Sequence, residues 1–102
     1  MEVSFEQHQT SAKFTISGDI DEQGAQILKD KFIALDKSSI KTMIFDFKKV
    51  THIGSAGIGK LLLFYKDIAI GGGVMEIINV PGSIYDLLLT LKLNSVFKIY
   101  KA

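Results

Sequence analysis

THIGSAGIGKLL, at residues 51–62, places one small hydroxyl residue, Ser55, among three glycines, just before apolar residues at helical spacing. The start of an α-helix offers backbone N–H groups without intrahelical partners, and the helix dipole makes that end positive. A serine there either caps the helix or carries a phosphate that the amides accept. The role of Ser55 therefore decides how the function of the chain is interpreted.

The apolar pattern on either side of this segment changes between strand and helix. Upstream, residues 43–47 are mostly apolar, which predicts a central strand buried on both faces, followed by a loop over residues 48–54. Downstream, an apolar stripe predicts a helix over residues 55–70. Three consecutive glycines, residues 71–73, are expected to end that helix.

The N-terminal part of the chain predicts a hairpin and another helix. Residues 3–6 and 13–17 alternate between apolar and polar side chains, so two paired strands are expected there. An apolar stripe from Ala25 to Leu35 predicts the first helix, with Asp19 and Asp21 as its N-terminal caps.

The C-terminal part completes an alternating pattern. Residues 74–80 and 96–100 predict two strands, and a third helix is expected between them, starting near Pro81. The order β-β-α-β-α-β-α-β predicts one α/β domain over residues 1–102, with a mixed, mostly parallel sheet. Such domains place their sites at the carboxyl ends of strands, where the loop of residues 54–59 falls.

Composition excludes several classes of function. The chain has 102 residues, a net charge of +1 and no cysteine. A near-neutral charge argues against a nucleic-acid or anionic-membrane surface, and the two histidines lack metal-ligand spacing. We expect no metal and no cofactor. No signal sequence or membrane span is visible, so a cytoplasmic protein is expected.

Three interpretations of residues 54–60 remain open. Ser55 caps the helix and the glycines serve packing; or the segment is a nucleotide-binding P-loop; or Ser55 is a phosphorylation switch. The spacing G-x-x-x-x-G-K fits a P-loop, but the position that should be Ser or Thr to bind Mg²⁺ is Leu61. A phosphoserine would leave the fold intact yet repel a partner docked over the helix end.

Residues 44–59, IFDFKKVTHIGSAGIG, resemble the signature of STAS domains, in particular the bacterial anti-sigma factor antagonists. Residues 18–21, GDID, are similar to that family's G-x-L-D motif. The order of elements also agrees, so the resemblance covers nearly the whole chain. It implies a STAS-like fold and a regulator without catalytic activity.

The resemblance also implies a partner and a site. Ser55 matches the serine that an anti-sigma factor kinase phosphorylates and a phosphatase restores, and the unmodified antagonist binds that anti-sigma factor. Asp21 matches an acidic residue at the partner surface. The residues expected to contact the partner are Asp21, Ile53, Gly54, Ala56, Gly57, Ile58 and Gly59. A monomer or weak dimer is expected.

One residue departs from the family pattern. The aspartate that normally precedes the serine is Gly54 in this chain. The change removes a charge beside Ser55 and raises an alternative: a divergent STAS module that binds its partner without phosphorylation, as in lipid-transport or sensory complexes.

Overall fold

Five strands and three α-helices follow one another in the predicted order, and the computed structural model describes all residues from 1 to 102. The strands are β1 (Glu2–His8), β2 (Ser11–Ile20), β3 (Thr42–Ile53), β4 (Val74–Val80) and β5 (Lys98–Lys101). The helices are α1 (Glu22–Ile33), α2 (Ser55–Ile70) and α3 (Gly82–Thr90), with a short 3₁₀ helix at Leu93–Ser95. None of the helices combines the length and apolar character needed to span a bilayer.

The strands lie in the sheet in the order in which they occur in the chain. β1 pairs antiparallel with β2, and β2 through β5 are parallel. The predicted α/β fold with a mixed, mostly parallel sheet is therefore confirmed. Each of the three β-α-β connections from β2 to β5 joins a strand to its next neighbour in the same direction across the sheet. Because such crossovers are right-handed, all three helices pack on the same face of the sheet.

Burial along β3 follows from this single helical layer. Met43, Phe45 and Phe47 are fully buried, whereas the residues between them, Ile44 and Asp46, are only half-buried. The prediction that this strand is buried on both faces is wrong. The continuous apolar run suggested burial on both faces because Ile44 is apolar, but Ile44 lies on the face of the sheet that no helix covers.

β3 is also longer than predicted. The loop predicted over residues 48–54 is absent, because residues 48–53 belong to this strand. It continues to Ile53 because its second half pairs with the end of β2, where Ile20 lies opposite Ile53. An irregularity in the pairing lies between these halves. There the Lys48 N–H donates to the Asp46 carboxylate at 3.0 Å. The polar residues that suggested a loop lie on an exposed part of the strand.

The core is organised around four stacked phenylalanine rings. Phe32 stacks on Phe64, Phe64 on Phe45 and Phe45 on Phe14, with centroid separations of 4.3, 5.8 and 5.4 Å. The rings connect α1, α2, β3 and β2 in one buried cluster. α1 ends at Ile33, two residues before Leu35, the last residue of the apolar stripe. Beyond its end, the Lys37 ammonium donates to the Phe32 carbonyl at 2.9 Å.

Candidate functional site

The candidate site lies where β2 and β3 end side by side. The Gly54 N–H donates to the Ile20 carbonyl at 3.1 Å, which joins the residue before α2 to the end of β2. Asp21 follows Ile20 and precedes α1, so the two helices begin beside each other. Asp21 and Ser55, which are 34 positions apart in the sequence, are thereby brought to the same end of the sheet.

Ser55 is the first residue of α2 and is exposed to solvent. The cap is Gly54, which is extended at φ −96° and ψ −179° and whose carbonyl accepts the Ile58 N–H at 3.1 Å. The interpretation of Ser55 as the cap is therefore wrong: the bond to Ile20 holds Gly54 in the cap position. The Ser55 hydroxyl makes no hydrogen bond within the protein.

The two neighbouring helix starts differ in how their amides are satisfied. In α1, the Asp21 carboxylate accepts the Gly24 N–H at 2.8 Å, so this expected cap is present. In α2, no side chain caps the helix and its first turn has no acidic residue. The amides at the start of α2 have no intrahelical acceptors, so this end favours an anion.

Two of the expected contact residues belong to the core instead of the surface. Ile53 is 3% exposed, and Gly57 is buried on the side of the first turn of α2 that faces the sheet. A Cβ on Gly57 would lie 2.8 Å from Ile20 Cγ2, 2.8 Å from Ile53 Cγ1 and 3.2 Å from the Ile20 carbonyl oxygen. The expectation that Ile53 and Gly57 offer surface to a partner is wrong, because α2 rests directly on these isoleucines.

The other expected contacts reach the surface to different degrees. Gly59 is exposed, Gly54, Ala56 and Ile58 are half-buried, and Asp21 is exposed. A Cβ on Gly59 would meet no atom within 4 Å, and one on Gly54 would meet only the Ile20 carbonyl oxygen, at 3.9 Å. Neither position therefore needs glycine for packing, and an aspartate fits at position 54.

Sequence patterns missed a hydrogen-bonded side-chain pair beside this site. The Asp19 carboxylate and His52 Nδ1 are 3.0 Å apart and both side chains are more than half exposed. Asp19 lies in β2 opposite His52 and does not cap α1, contrary to expectation. The parallel register of β2 and β3, once known, is the signal that would have found the pair.

Asp46 lies near the middle of β3 and does not join the site. Its carboxylate accepts the Lys48 N–H and the Asn79 side-chain amide, at 3.0 and 3.2 Å. The P-loop interpretation also fails on geometry, because residues 55–60 are helical and form no loop around a phosphate. The largest cavity, about 440 Å³, lies between α2 and residues 94–98 and has no lining residue from the site. The site is therefore a surface.

Comparisons with known proteins agree with this architecture. The family model described as the STAS domain matches residues 2–102. An anti-sigma factor antagonist from Mycobacterium paratuberculosis superposes with a TM-score of 0.85 at 22% identity, covering 99% of this chain and 86% of that one. The unphosphorylated anti-sigma factor antagonist SpoIIAA gives 0.78 at 14% identity, covering 99% and 89%.

The same fold occurs in another setting. A sulfate transporter family protein from Wolinella succinogenes superposes with a TM-score of 0.79 at 17% identity, covering 89% of this chain and 76% of that one. At such identities these structures establish the common fold. Together with the match of the family model along residues 2–102, they show that this chain belongs to the STAS domain family.

Proposed function

We propose that this protein is an anti-sigma factor antagonist of the cytoplasm, switched by phosphorylation of Ser55. With Ser55 unmodified, it binds an anti-sigma factor of the serine-kinase type. That kinase phosphorylates Ser55 and is released, and a phosphatase restores the binding form. The observation that supports this proposal is the exposed Ser55 hydroxyl, which has no hydrogen bond within the protein, at a helix start without a side-chain cap.

The position of Ser55 makes a phosphate compatible with the fold. A phosphoserine carries about −1.5 to −2 charges at pH 7. At the start of α2 this charge meets unpaired amides and the positive end of the helix dipole, so the folded domain is not destabilised. A partner packed over Ser55 would have to bury the same charge without a matching cation, which costs several kcal/mol.

The surface around Ser55 is suited to close contact. Gly59 follows Ser55 by four residues, so both lie on one side of α2. Leu62, one turn further, is 39% exposed. A partner helix can therefore approach the backbone near Gly59 and bury Leu62, while Asp21 lies at the edge of the same surface.

The test of this proposal is phosphate transfer from the kinase-type anti-sigma factor and ATP, measured by intact mass. We expect one phosphate on the wild-type chain and on Ser83→Ala, and none on Ser55→Ala. Ser83 is the matched control because it is exposed in the first turn of α3. A phosphate that persists on Ser55→Ala contradicts the assignment.

A second variant tests the contact surface itself. Ser55→Asp should weaken binding of the anti-sigma factor at least about tenfold, because a charge is buried at the interface, while the melting temperature stays within a few degrees of wild type. Titration calorimetry and thermal unfolding measure the two quantities. Unchanged affinity would show that the start of α2 is not the contact surface.

Gly54 supports a second candidate function, a STAS module that binds its partner without phosphorylation. The start of α2 lacks an acidic residue, and position 54 has room for one. Gly54→Asp restores the family residue. If neither the wild-type chain nor Gly54→Asp accepts phosphate while both bind the partner, the second function replaces the first.

A further inference from the structure

The sheet face opposite the helices is uncovered, and we call it the open face. It is formed by the half-buried or exposed residues that alternate with core residues along the five strands. Parallel sheets are almost always covered on both faces, because crossover helices normally lie on each side. This mostly parallel sheet has helices on one side alone, so the open face is available for a partner.

Charged residues form a regular row across the middle of the open face. The pairing of the strands aligns five residues, one from each strand: Glu6, Lys13, Ile44, Glu76 and Lys98. In the direction from β1 to β5 their charges are negative, positive, neutral, negative and positive. The Glu6 carboxylate and the Lys13 ammonium are 3.5 Å apart within the row.

The charges of this row, read from β1 to β5, are opposite in sign to the same charges read from β5 to β1. A two-fold axis parallel to β3, between two copies with their open faces together, places β1 opposite β5 and β2 opposite β4 of the second copy. Glu6 then meets Lys98 and Lys13 meets Glu76 of the second copy, while Ile44 meets its own image. The two rows together form four ion pairs, each between an acidic and a basic side chain, and one apolar contact at the centre.

The sizes of the other side chains on the open face are complementary under the same two-fold axis. On the β1–β2 side the open face carries the small residues Ser4, Ser11 and Thr15. On the β4–β5 side it carries the larger Tyr100, Val74 and Ile78, and the first two are 47% and 49% exposed. The same two-fold axis places Ser11 opposite Val74 and Thr15 opposite Ile78, in each case a small residue opposite a larger one.

We propose that the open face binds a second copy of this chain and forms a symmetric, reversible dimer. Five strands about 4.8 Å apart and about six residues long give a face of about 24 by 20 Å, so the dimer buries about 1,000 Å² in total. That area is at the low end for specific interfaces, which together with its charged pairs predicts a salt-sensitive dimer.

Asp46 is the one acidic residue that meets its own image across this axis. Its carboxylate keeps its bonds to Lys48 and Asn79, and asparagine at this position retains the accepting oxygen. Asp46→Asn should therefore strengthen association. Ser55 lies at the start of α2, on the helix side of the sheet, so the dimer leaves it accessible and its test does not involve a kinase.

Sedimentation equilibrium of the full chain tests the proposal through charge reversal. Lys13→Glu and Glu76→Lys each bring like charges together twice per dimer, so each should lower the association constant at least about tenfold. In an equimolar mixture of the two variants, both pairs regain opposite signs. The mixture should therefore associate within about threefold of wild type.

Circular dichroism and thermal unfolding should show that both variants remain folded. Raising NaCl from about 50 to about 500 mM should weaken the wild-type dimer. The proposal is overturned if the wild type stays monomeric at about 1 mM protein and low salt. It is also overturned if either reversal leaves association unchanged, if the mixture fails to recover it, or if Asp46→Asn weakens it.

Discussion

Gly57 and Gly59 lie two residues apart in the same helix, and the structure predicts opposite effects of alanine at them. A methyl group on Gly57 would approach Ile20 Cγ2 and Ile53 Cγ1 to 2.8 Å. Both isoleucines are buried and branched at Cβ, so neither side chain can turn away easily. The Ile20 carbonyl, 3.2 Å from the same methyl, is fixed by its bond from Gly54.

The magnitude of each effect follows from two terms. Overpacking costs about 2–3 kcal/mol in a dense core, and alanine in a helix gains about 1 kcal/mol over glycine. Gly57→Ala should therefore lower the free energy of unfolding by about 1–2 kcal/mol. Gly59→Ala meets no atom within 4 Å and should raise it by about 0.5–1 kcal/mol.

Urea denaturation followed by far-ultraviolet circular dichroism measures both variants against the wild type. The two midpoints should move in opposite directions with unchanged slopes, since neither variant alters the surface exposed on unfolding. In thermal unfolding of a domain of this size, 1 kcal/mol corresponds to about 4–8 °C. If Gly57→Ala is as stable as the wild type, α2 does not rest on Ile20 and Ile53 as described.

Two further predictions concern Asp21 and Asp36. Asp21→Ala removes the cap of α1 and should cost about 1 kcal/mol in urea denaturation. Asp21→Asn keeps the accepting oxygen and should cost clearly less, so equal losses would contradict the capping role. Hydrogen bonds from the Ser38 hydroxyl and N–H hold the pKa of Asp36 below its ordinary value. Because that pKa is lowered on folding, this stabilisation is present above the unfolded pKa and is lost as pH falls through the folded one. Ser38→Ala should raise the pKa of Asp36 in a carboxyl-detected NMR titration, and an unchanged value would contradict the assignment.

Most of the fold was predictable because its signals are local. The helical stripe after Ser55, the alternation in the first two strands and the acidic cap at Asp21 each follow from side-chain periodicity or capping chemistry. The order of the strands in the sheet could not be predicted from such local signals. Without knowledge of the strand order, the apolar run around Ile44 indicated a strand buried on both faces, and the mostly polar residues 48–54 indicated a loop.

The candidate site was predictable only in part for the same reason. The glycines and Ser55 were recognisable as one segment, but glycines with opposite roles look alike in a sequence. Gly57 is required by the neighbouring Ile20, whereas nothing within the protein requires glycine at position 59. The Asp19–His52 pair depends on the register between two strands, which no local pattern encodes.

The tight contact between Gly57 and the two isoleucines constrains how the proposed switch at Ser55 would work. Because α2 rests on Ile20 and Ile53 without space for a methyl group, the start of the helix cannot shift inward when Ser55 is modified. Packed cores resist such displacement. A phosphate on Ser55 would then change the charge of the surface while leaving its shape in place. In the proposed switch, the free energy that separates the two binding states would come from desolvating that charge at the interface, so the phosphorylated and unmodified chains should have nearly the same backbone structure.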